Sequence, residues 1–375
     1  MWKIWFEEIR KMASRKIIWC GLALTLIFVT FRLYGIVLRE YTTTIEDQTY
    51  RGKEAIQKDQ ELAKEYAGPL TEEKVRSIYE RFGFYYFDAE KNEFVGNFCN
   101  EYITYQMTNS LETDGDDPSE IRFYEGTDWE NNAATLLKGN LKFDYNYGWE
   151  DFRETMTLVC VLLSIIFIIG MSPVFSEEYT LRTADILLTT RRGKSSAVWI
   201  KIAAALTFTI VVYCAVFLYM WLIYRSVFGT QGLDTSPVFL NGVSSHGYCP
   251  ETTGGFFLLL FGLGLASMVL LSAMVIVVSA VCKSAFLSVV ISAVVFVLPY
   301  IWMKVFLPMR PFGIEVTRKV YHFMISMPFY MHMNWGFAFS AGEIGMHLII
   351  ALGVMAVCVN LGYRKYRNYQ GGIGS

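Results

Sequence analysis

Charge is scarce in this sequence: only 18% of its 375 residues are Asp, Glu, Lys or Arg, against about 25% in a soluble globular chain. That deficit argues against an ordinary water-soluble domain. Catalytic signatures are missing too. There is no G-x-S-x-G element and no H-E-x-x-H, and the four histidines (His246, His322, His332, His347) show no i, i+4 spacing. Neither nucleophilic hydrolysis nor metal catalysis is supported. The seven cysteines include no C-x-x-C, which removes the usual zinc and dithiol motifs. Five of them, Cys20, Cys160, Cys214, Cys282 and Cys358, lie in or at the ends of apolar runs. Only Cys99 and Cys249 fall elsewhere, and whether they pair is left open.

Two fragments of motifs fail on spacing. Residues 191–196 contain Gly-Lys-Ser, but a phosphate loop needs glycine at position 188, which is Leu188. With no other candidate, any ATP hydrolysis has to come from another chain. Asp114, Asp116, Asp117 and Glu120 lack the calcium-loop spacing and read as a solvated acidic loop. Glu7 and Glu8 interrupt the basic start and no small-x-small site follows, so no cleavable leader is expected.

What the sequence has in quantity is apolar surface, at 53% of residues. Six stretches are long enough to cross ~30 Å of hydrocarbon at ~1.5 Å per residue. They run over 17–38, 156–175, 197–224, 255–281, 285–307 and 344–363. Backbone groups in lipid need partners within their own segment, so each is expected to be a helix. Between the first two lies an acidic segment. Residues 41–150 hold 23 acidic and 11 basic side chains, a net of −12, leaving +10 on the rest of the chain.

Lys and Arg near the span ends give an orientation. Residues 1–16, the connection after span two, Lys283 and the tail 364–375 carry the basic groups and fall on one side, the cytoplasm, with both termini there. Segments 39–153 and 225–254 then lie outside. Lys304, Arg310, Arg318 and Lys319 conflict with this rule, and 308–343, rich in Met, Phe, Tyr and Trp335, is read as interfacial or re-entrant. Trp2, Trp5, Phe6, Ile9, Met12 and Ala13 share one helical face, opposite Lys3, Glu7, Arg10 and Lys11. That pattern fits a helix lying in the membrane interface; a cytoplasmic extension of span one is the alternative. The expected fold is all-α, with six transmembrane helices, an N-terminal interfacial helix and an α+β extracellular domain between spans one and two.

In that outer segment, 45–66 reads as one helix. Thr71 caps a second, striped by Val75, Ile78, Tyr79 and Phe82 and closed by Gly83. The aromatic runs 84–87 and 94–98 suggest a hairpin. Arg32 is close enough to a span end to snorkel, and ionisable groups are otherwise rare at mid-depth. That scarcity disfavours an ion-coupled carrier. In span four, Gly262 and Ala266 have small-x-x-x-small spacing, which suits helix packing within the chain or a dimer seam.

The connection 177–201 begins acidic at Glu178, has a short apolar core and ends basic, complementing a helix dipole. It resembles the first cytoplasmic loop of type-2 ABC transporter permeases. In those, an acid, a Gly-Thr-like pair, a Leu-Leu pair, a Ser-Pro-like pair, a base and a Lys opening the next span follow in order. Glu178, Thr183, Leu187, Leu188, Arg191 or Arg192, and Lys201 stand at matching positions. Arg182 replaces the usual Gly, and Thr189-Thr190 stands where Ser-Pro is common. The resemblance implies a coupling segment formed by Glu178, Arg182, Thr183, Asp185, Leu187, Leu188, Arg191, Arg192, Lys194 and Lys201. It implies an ABC ATPase subunit as partner, holding ATP and Mg, and a second permease half, the same chain or a related one. No cofactor in this chain and no nucleic acid are implied, and the cargo would be a peptide, lipid or other amphipathic compound. The competing reading is a membrane sensor or scaffold whose outer segment binds a ligand. A lipid-modifying membrane enzyme lacks a nucleophile or metal constellation.

Overall fold

The computed structural model of the chain describes residues 2–46, 48–113, 118–137, 141–190, 196–240, 243, 248–309, 313–333 and 339–369. Asp114, Asp116, Asp117, Arg191, Arg192, Lys194, Arg310 and Trp335 lie outside the described residues. Among the described residues, six helices are long and apolar enough to cross a membrane: α2 (Lys16–Glu40), α7 (Tyr147–Thr180), α9 (Val198–Phe228), α10 (Thr253–Val281), α11 (Ala285–Met309) and α14 (Ala341–Arg367). They match the six apolar runs, and each extends beyond its run at one end or both. The largest extension is at α7, which starts at Tyr147 and takes Glu150, Asp151, Arg153 and Glu154 into the helix. A short helix α1 (Trp2–Ala13) precedes them.

The chain divides into two compact units. One comprises Met1–Ile27, Thr155–Tyr219 and Leu259–Ser375; the other comprises Phe28–Glu154 and Met220–Leu258.

In the first unit, glycines set the closeness of helix packing. A Cβ on Gly21 of α2 would stand 2.8 Å from Ile166 Cγ1 of α7, and one on Gly170 of α7 would stand 2.8 Å from Ile18 Cδ1 of α2. Each glycine receives an isoleucine of the opposite helix, the small-residue contact that membrane helices use where no hydrophobic effect draws them together. Gly262 has open space where its Cβ would be, whereas a Cβ on Gly264 would collide with the Tyr213 hydroxyl. Other small residues of α10 make contacts within the chain: Ser267 Oγ donates to the Pro328 carbonyl at 2.8 Å, and Ser272 shares a 2.7 Å hydrogen bond with Thr209. Segment 308–343 contains α12 (Ile314–Ile325) and α13 (Pro328–Met331), of 12 and 4 residues, both too short to span a bilayer. Ile325, Tyr330, Met331 and Phe339 pack with Leu263, Leu270, Ile344 and Ala351 in one buried cluster.

In the second unit, residues 45–66 are not one helix. Strands β1 (Thr42–Ile45) and β2 (Gln48–Arg51) pair antiparallel, and helix α3 (Gly52–Tyr66) starts only afterwards. The β-branched Thr42-Thr43-Thr44-Ile45 run favours the strand, and Gly52 at φ 61° lets the chain turn into the helix. Strand β3 (Gly68–Pro69) comes next. Thr71 accepts from the Lys74 N–H at 3.2 Å and caps α4 (Glu72–Phe82), which Gly83 closes. The aromatic hairpin is present as β4 (Tyr86–Asp88) and β5 (Glu93–Val95). Helix α5 (Phe98–Met107) starts with an Asn97–Asn100 capping box, helical turns over 126–136 make α6, and β6 (Lys142–Phe143) pairs with β3.

Phe143, Tyr145, Trp149, Phe152, Phe228 and Phe239 are fully buried in this unit. Asp59, 1% exposed, accepts from the Tyr41 hydroxyl at 2.6 Å, the Thr43 hydroxyl at 2.8 Å and the Phe98 N–H at 3.2 Å. Burial nevertheless pushes its pKa up to about 6. Arg32 does not simply reach for water: Nη2 lies 2.5 Å from Asp151 Oδ1 and 3.0 Å from Glu154 Oε2, and the Tyr224 hydroxyl donates to Asp151 Oδ2. Both carboxylates belong to the stretch by which α7 exceeds its apolar run. A π-turn over Arg32–Val37 interrupts α2 at this network. Cys99 and Cys249 are free thiols.

Candidate functional site: the segment around Glu178

The 177–201 segment is built on an interrupted helix. The regular α7 hydrogen bonding breaks around Ser172, because Pro173 has no N–H to give. Ser279 of α10 repairs the gap. Its hydroxyl accepts from the Phe175 N–H at 2.9 Å and the Ser176 N–H at 3.1 Å, and donates to the Ser172 carbonyl at 2.6 Å. The last turn is also tied to the end of α10, since the Tyr179 hydroxyl donates to the Ala280 carbonyl at 2.9 Å.

After α7 the chain turns through Leu181 and Arg182 into α8 (Thr183–Thr189). Arg182 has φ 55° and ψ 19°, the left-handed conformation. A side chain there costs on the order of 1 kcal/mol, which glycine does not incur. This gives a physical reason for the Gly that commonly stands at this point in the resembling loop. Ala184 and Leu188 are buried, Leu187 is half-buried, and Arg182, Thr183, Asp185 and Ile186 are exposed. Ile186 at 70% and Leu181 at 63% exposure are large apolar groups left open to the surroundings.

Glu178, by contrast, is interior. It is 3% exposed and Lys201 is 5% exposed, and the two form an ion pair through Nζ and Oε1. The Tyr366 hydroxyl of α14 donates to Glu178 Oε2. Lys11 of α1 lies 3.8 Å from Glu178 Oε1, and Glu8 lies 3.8 Å from the Lys201 ammonium. The ammonium also stands 5.5 Å from the Phe175 ring centroid and 5.9 Å from that of Tyr366, a cation–π arrangement. One carboxylate thus joins α1, α7, α9 and α14. A second pair lies alongside, Arg15 to Glu177 at 2.7 Å. Burial lowers the Arg15 pKa, and Glu177 and Glu8 oppose that shift.

The ten residues singled out in the sequence therefore separate. Arg182, Thr183 and Asp185 are exposed and Leu187 partly so; Glu178, Leu188 and Lys201 are interior; Arg191, Arg192 and Lys194 are outside the described residues. Lys11, Glu8 and Tyr366 have no signal in the local sequence that would link them to Glu178. Among the described residues no cluster of three or more His, Cys, Asp or Glu side chains could hold a metal.

An interrupted helix ending in acids, a left-handed turn, a short helix with exposed residues and a Lys in the opening turn of the next span follow in that order along the chain. The family of ABC-2 transporter proteins matches the chain from residue 2 to residue 369. The chain belongs to that family. No curated protein and no solved structure matches it. An ABC-2 protein is the permease of an ABC transporter, a multi-pass membrane subunit, and the family implies an ATPase partner.

Proposed function

We propose that this ABC-2 protein is the driven half of an exporter, and that α8 is where a separate ATPase subunit, holding ATP and Mg, takes hold of it. The carrying observation is the exposed Leu181–Ile186 surface, seated on buried Ala184 and Leu188 and directly following the Glu178 node. Apolar groups framed by charge suit a protein contact. In this reading Arg182, Thr183, Asp185 and Leu187 touch the partner, with Arg191, Arg192 and Lys194 supplying charge. Glu178 and Lys201 touch nothing outside the chain; they pass displacement of α8 to α7, α9, α1 and α14. Leu188 anchors α8 to the bundle.

The topology belongs to the same proposal: α8 and both ends of the chain on the cytoplasmic side, α1 in the inner membrane interface, and residues 39–153 outside. The permease works with a second half, identical or related, and its cargo is an amphipathic compound such as a peptide or lipid. The scarcity of ionisable groups at mid-depth in the apolar runs supports an external motor over ion coupling. Photo-crosslinkers at positions 186 and 111 test this. Leu111 is 72% exposed in the 39–153 segment. The expected result is capture of a nucleotide-hydrolysing chain from position 186 and not from 111. Equal capture from both, or none from 186 in membranes where the transporter is active, would refute the docking role.

A further inference from the structure

The acidic segment carries a feature that the coupling scheme does not use. Between α4 and the start of α6 lies a cavity of about 390 Å³, within the size range of small-molecule sites. Phe123, Tyr124 and Trp129 give it aromatic walls; Glu72, Arg76 and Glu125 supply its charge.

The walls are held in place. Phe123 pairs as a β-bridge with Thr108, and the Arg122 N–H donates to Asn109 Oδ1 at 2.7 Å. The Tyr124 N–H donates to the Met107 carbonyl at 3.0 Å. Behind the cavity the rings of Tyr79 and Phe84 pack on Phe123 with centroids 5.3 and 5.1 Å away. Trp129 meets Phe123 edge-on at 6.2 Å. These contacts leave the aromatic residues half-buried, with surface facing the opening.

The charge has one sign left over. Arg76, the only cation among the described lining residues, is paired with Glu72 at 2.7 Å. Among the described residues no cation forms an ion pair with Glu125. Burial raises the Tyr124 pKa, and the carboxylates of Glu112 and Asp128 raise it further, which places both acids within electrostatic reach of that wall. The surrounding segment has a net charge of −12, so the field favours cations at the entrance. An anion would meet uncompensated carboxylates and a cation already spoken for.

We propose that this cavity binds an organic cation, an ammonium or guanidinium on an aromatic or aliphatic stem, with the charge at Glu125 and the stem against Trp129, Phe123 and Tyr124. Aromatic faces attract such cations through the ring quadrupole, and the carboxylate adds a charge-assisted hydrogen bond. The same chemistry is offered by a free amine and by a lysine or arginine of a peptide. The inference uses neither the topology nor the coupling role of α8.

The test is isothermal titration of the full-length chain in detergent or lipid discs, without any ATPase. Phenethylammonium represents the free amine and acetyl-Trp-Lys-amide the peptide. 3-Phenylpropionate, with the same stem and a carboxylate, is the anionic control. Saturable binding by either cation, and none by the carboxylate, is expected, and the tighter cation identifies the source. Binding weakens with added salt. Glu125→Gln and Trp129→Leu each lower affinity about tenfold, the scale of a lost charge contact or cation–π contact, while Glu125→Asp and Trp129→Phe retain most of it. Glu125 is exposed, so its variants leave the fold intact. Failure of both cations to bind, equal binding of the carboxylate, or full affinity in Glu125→Gln overturns the proposal and leaves the ATPase-docking reading standing. Loss of crosslinking at 186 leaves this one standing.

Discussion

Replacing Glu178 by Gln tests the interior node most directly. The side chain is 4% exposed and its partner Lys201 6% exposed. The remaining acid near Lys201, Glu8, is at 3.8 Å. Glu178→Gln therefore leaves a buried ammonium with a distant counter-charge, and Lys201→Met leaves a buried carboxylate with Lys11 at 3.8 Å and the Tyr366 hydroxyl. Breaking one side of a buried pair costs about 3–5 kcal/mol, whereas replacing both sides by groups of similar volume is often close to neutral. Each single variant should lose on the order of 10 °C in thermal midpoint, at roughly 2–4 °C per kcal/mol. The double variant should regain most of it, giving a coupling energy of at least about 2 kcal/mol in the cycle. The assay is thermal unfolding of the purified chain in lipid discs, followed by tryptophan fluorescence. Losses that simply add in the double variant would show that the two groups act independently, and the node would be discarded. If the node transmits motion, the stable double variant still retains the ATPase partner but no longer shows cargo-stimulated hydrolysis.

Arg182→Gly should stabilise the turn before α8 by up to about 1 kcal/mol, since only its left-handed backbone is at issue; a loss of stability would mean that the Arg182 side chain is itself a structural tie. Gly21→Ala and Gly170→Ala should each destabilise by about 1–3 kcal/mol because an isoleucine already fills the space, while Gly262→Ala should gain up to about 1 kcal/mol from helix propensity. The reverse order, read from thermal midpoints, would refute the packing described. Asp59 has a folded pKa of about 6 against 3.8 in the open chain. The folded state thus holds the proton more tightly, and stability falls as pH rises from about 4 to 6, by about 3 kcal/mol, then levels off. Protection factors in peptides around 52–66, corrected for the intrinsic pH dependence of exchange, should show that slope, and Asp59→Asn should flatten it. His332 has the opposite sign, because burial lowers its pKa to about 4 from 6.5. It stabilises fully above about pH 6.5, and that contribution is lost as pH falls toward 4, by roughly 3 kcal/mol. Protection factors around 325–333, corrected for the intrinsic pH dependence of exchange, should fall with acid, and His332→Phe should abolish the trend.

The spans were legible because each requires a long apolar run, and composition alone reveals such runs. Their ends were not. Glu150, Asp151 and Glu154 read as loop residues, yet α7 includes them because Arg32 and Tyr224, distant in sequence, meet Asp151. The hairpin at 42–51 was hidden by a helix-favouring composition that truly begins only at Lys53, while the Thr71 cap and the aromatic hairpin, both set by neighbours, were readable. The loop order around Glu178 was visible as a pattern, but the division between exposed and interior residues was not. Glu178 is bonded to a tyrosine 188 positions away, and no local periodicity records that. His322 and His347 are another such case: their spacing matches no motif, and yet Nδ1 of one and Nε2 of the other are 3.1 Å apart.

Of the side chains that converge on Glu178, Lys11 is synthesised first and Tyr366 last. While the ribosome is still extending the chain, the carboxylate has Lys11 and then Lys201, but not the phenol that closes the arrangement. The arrangement around Glu178 is therefore finished only when α14 has been made; if α8 docks the ATPase as proposed, a half-made subunit offers its motor an unfinished handle.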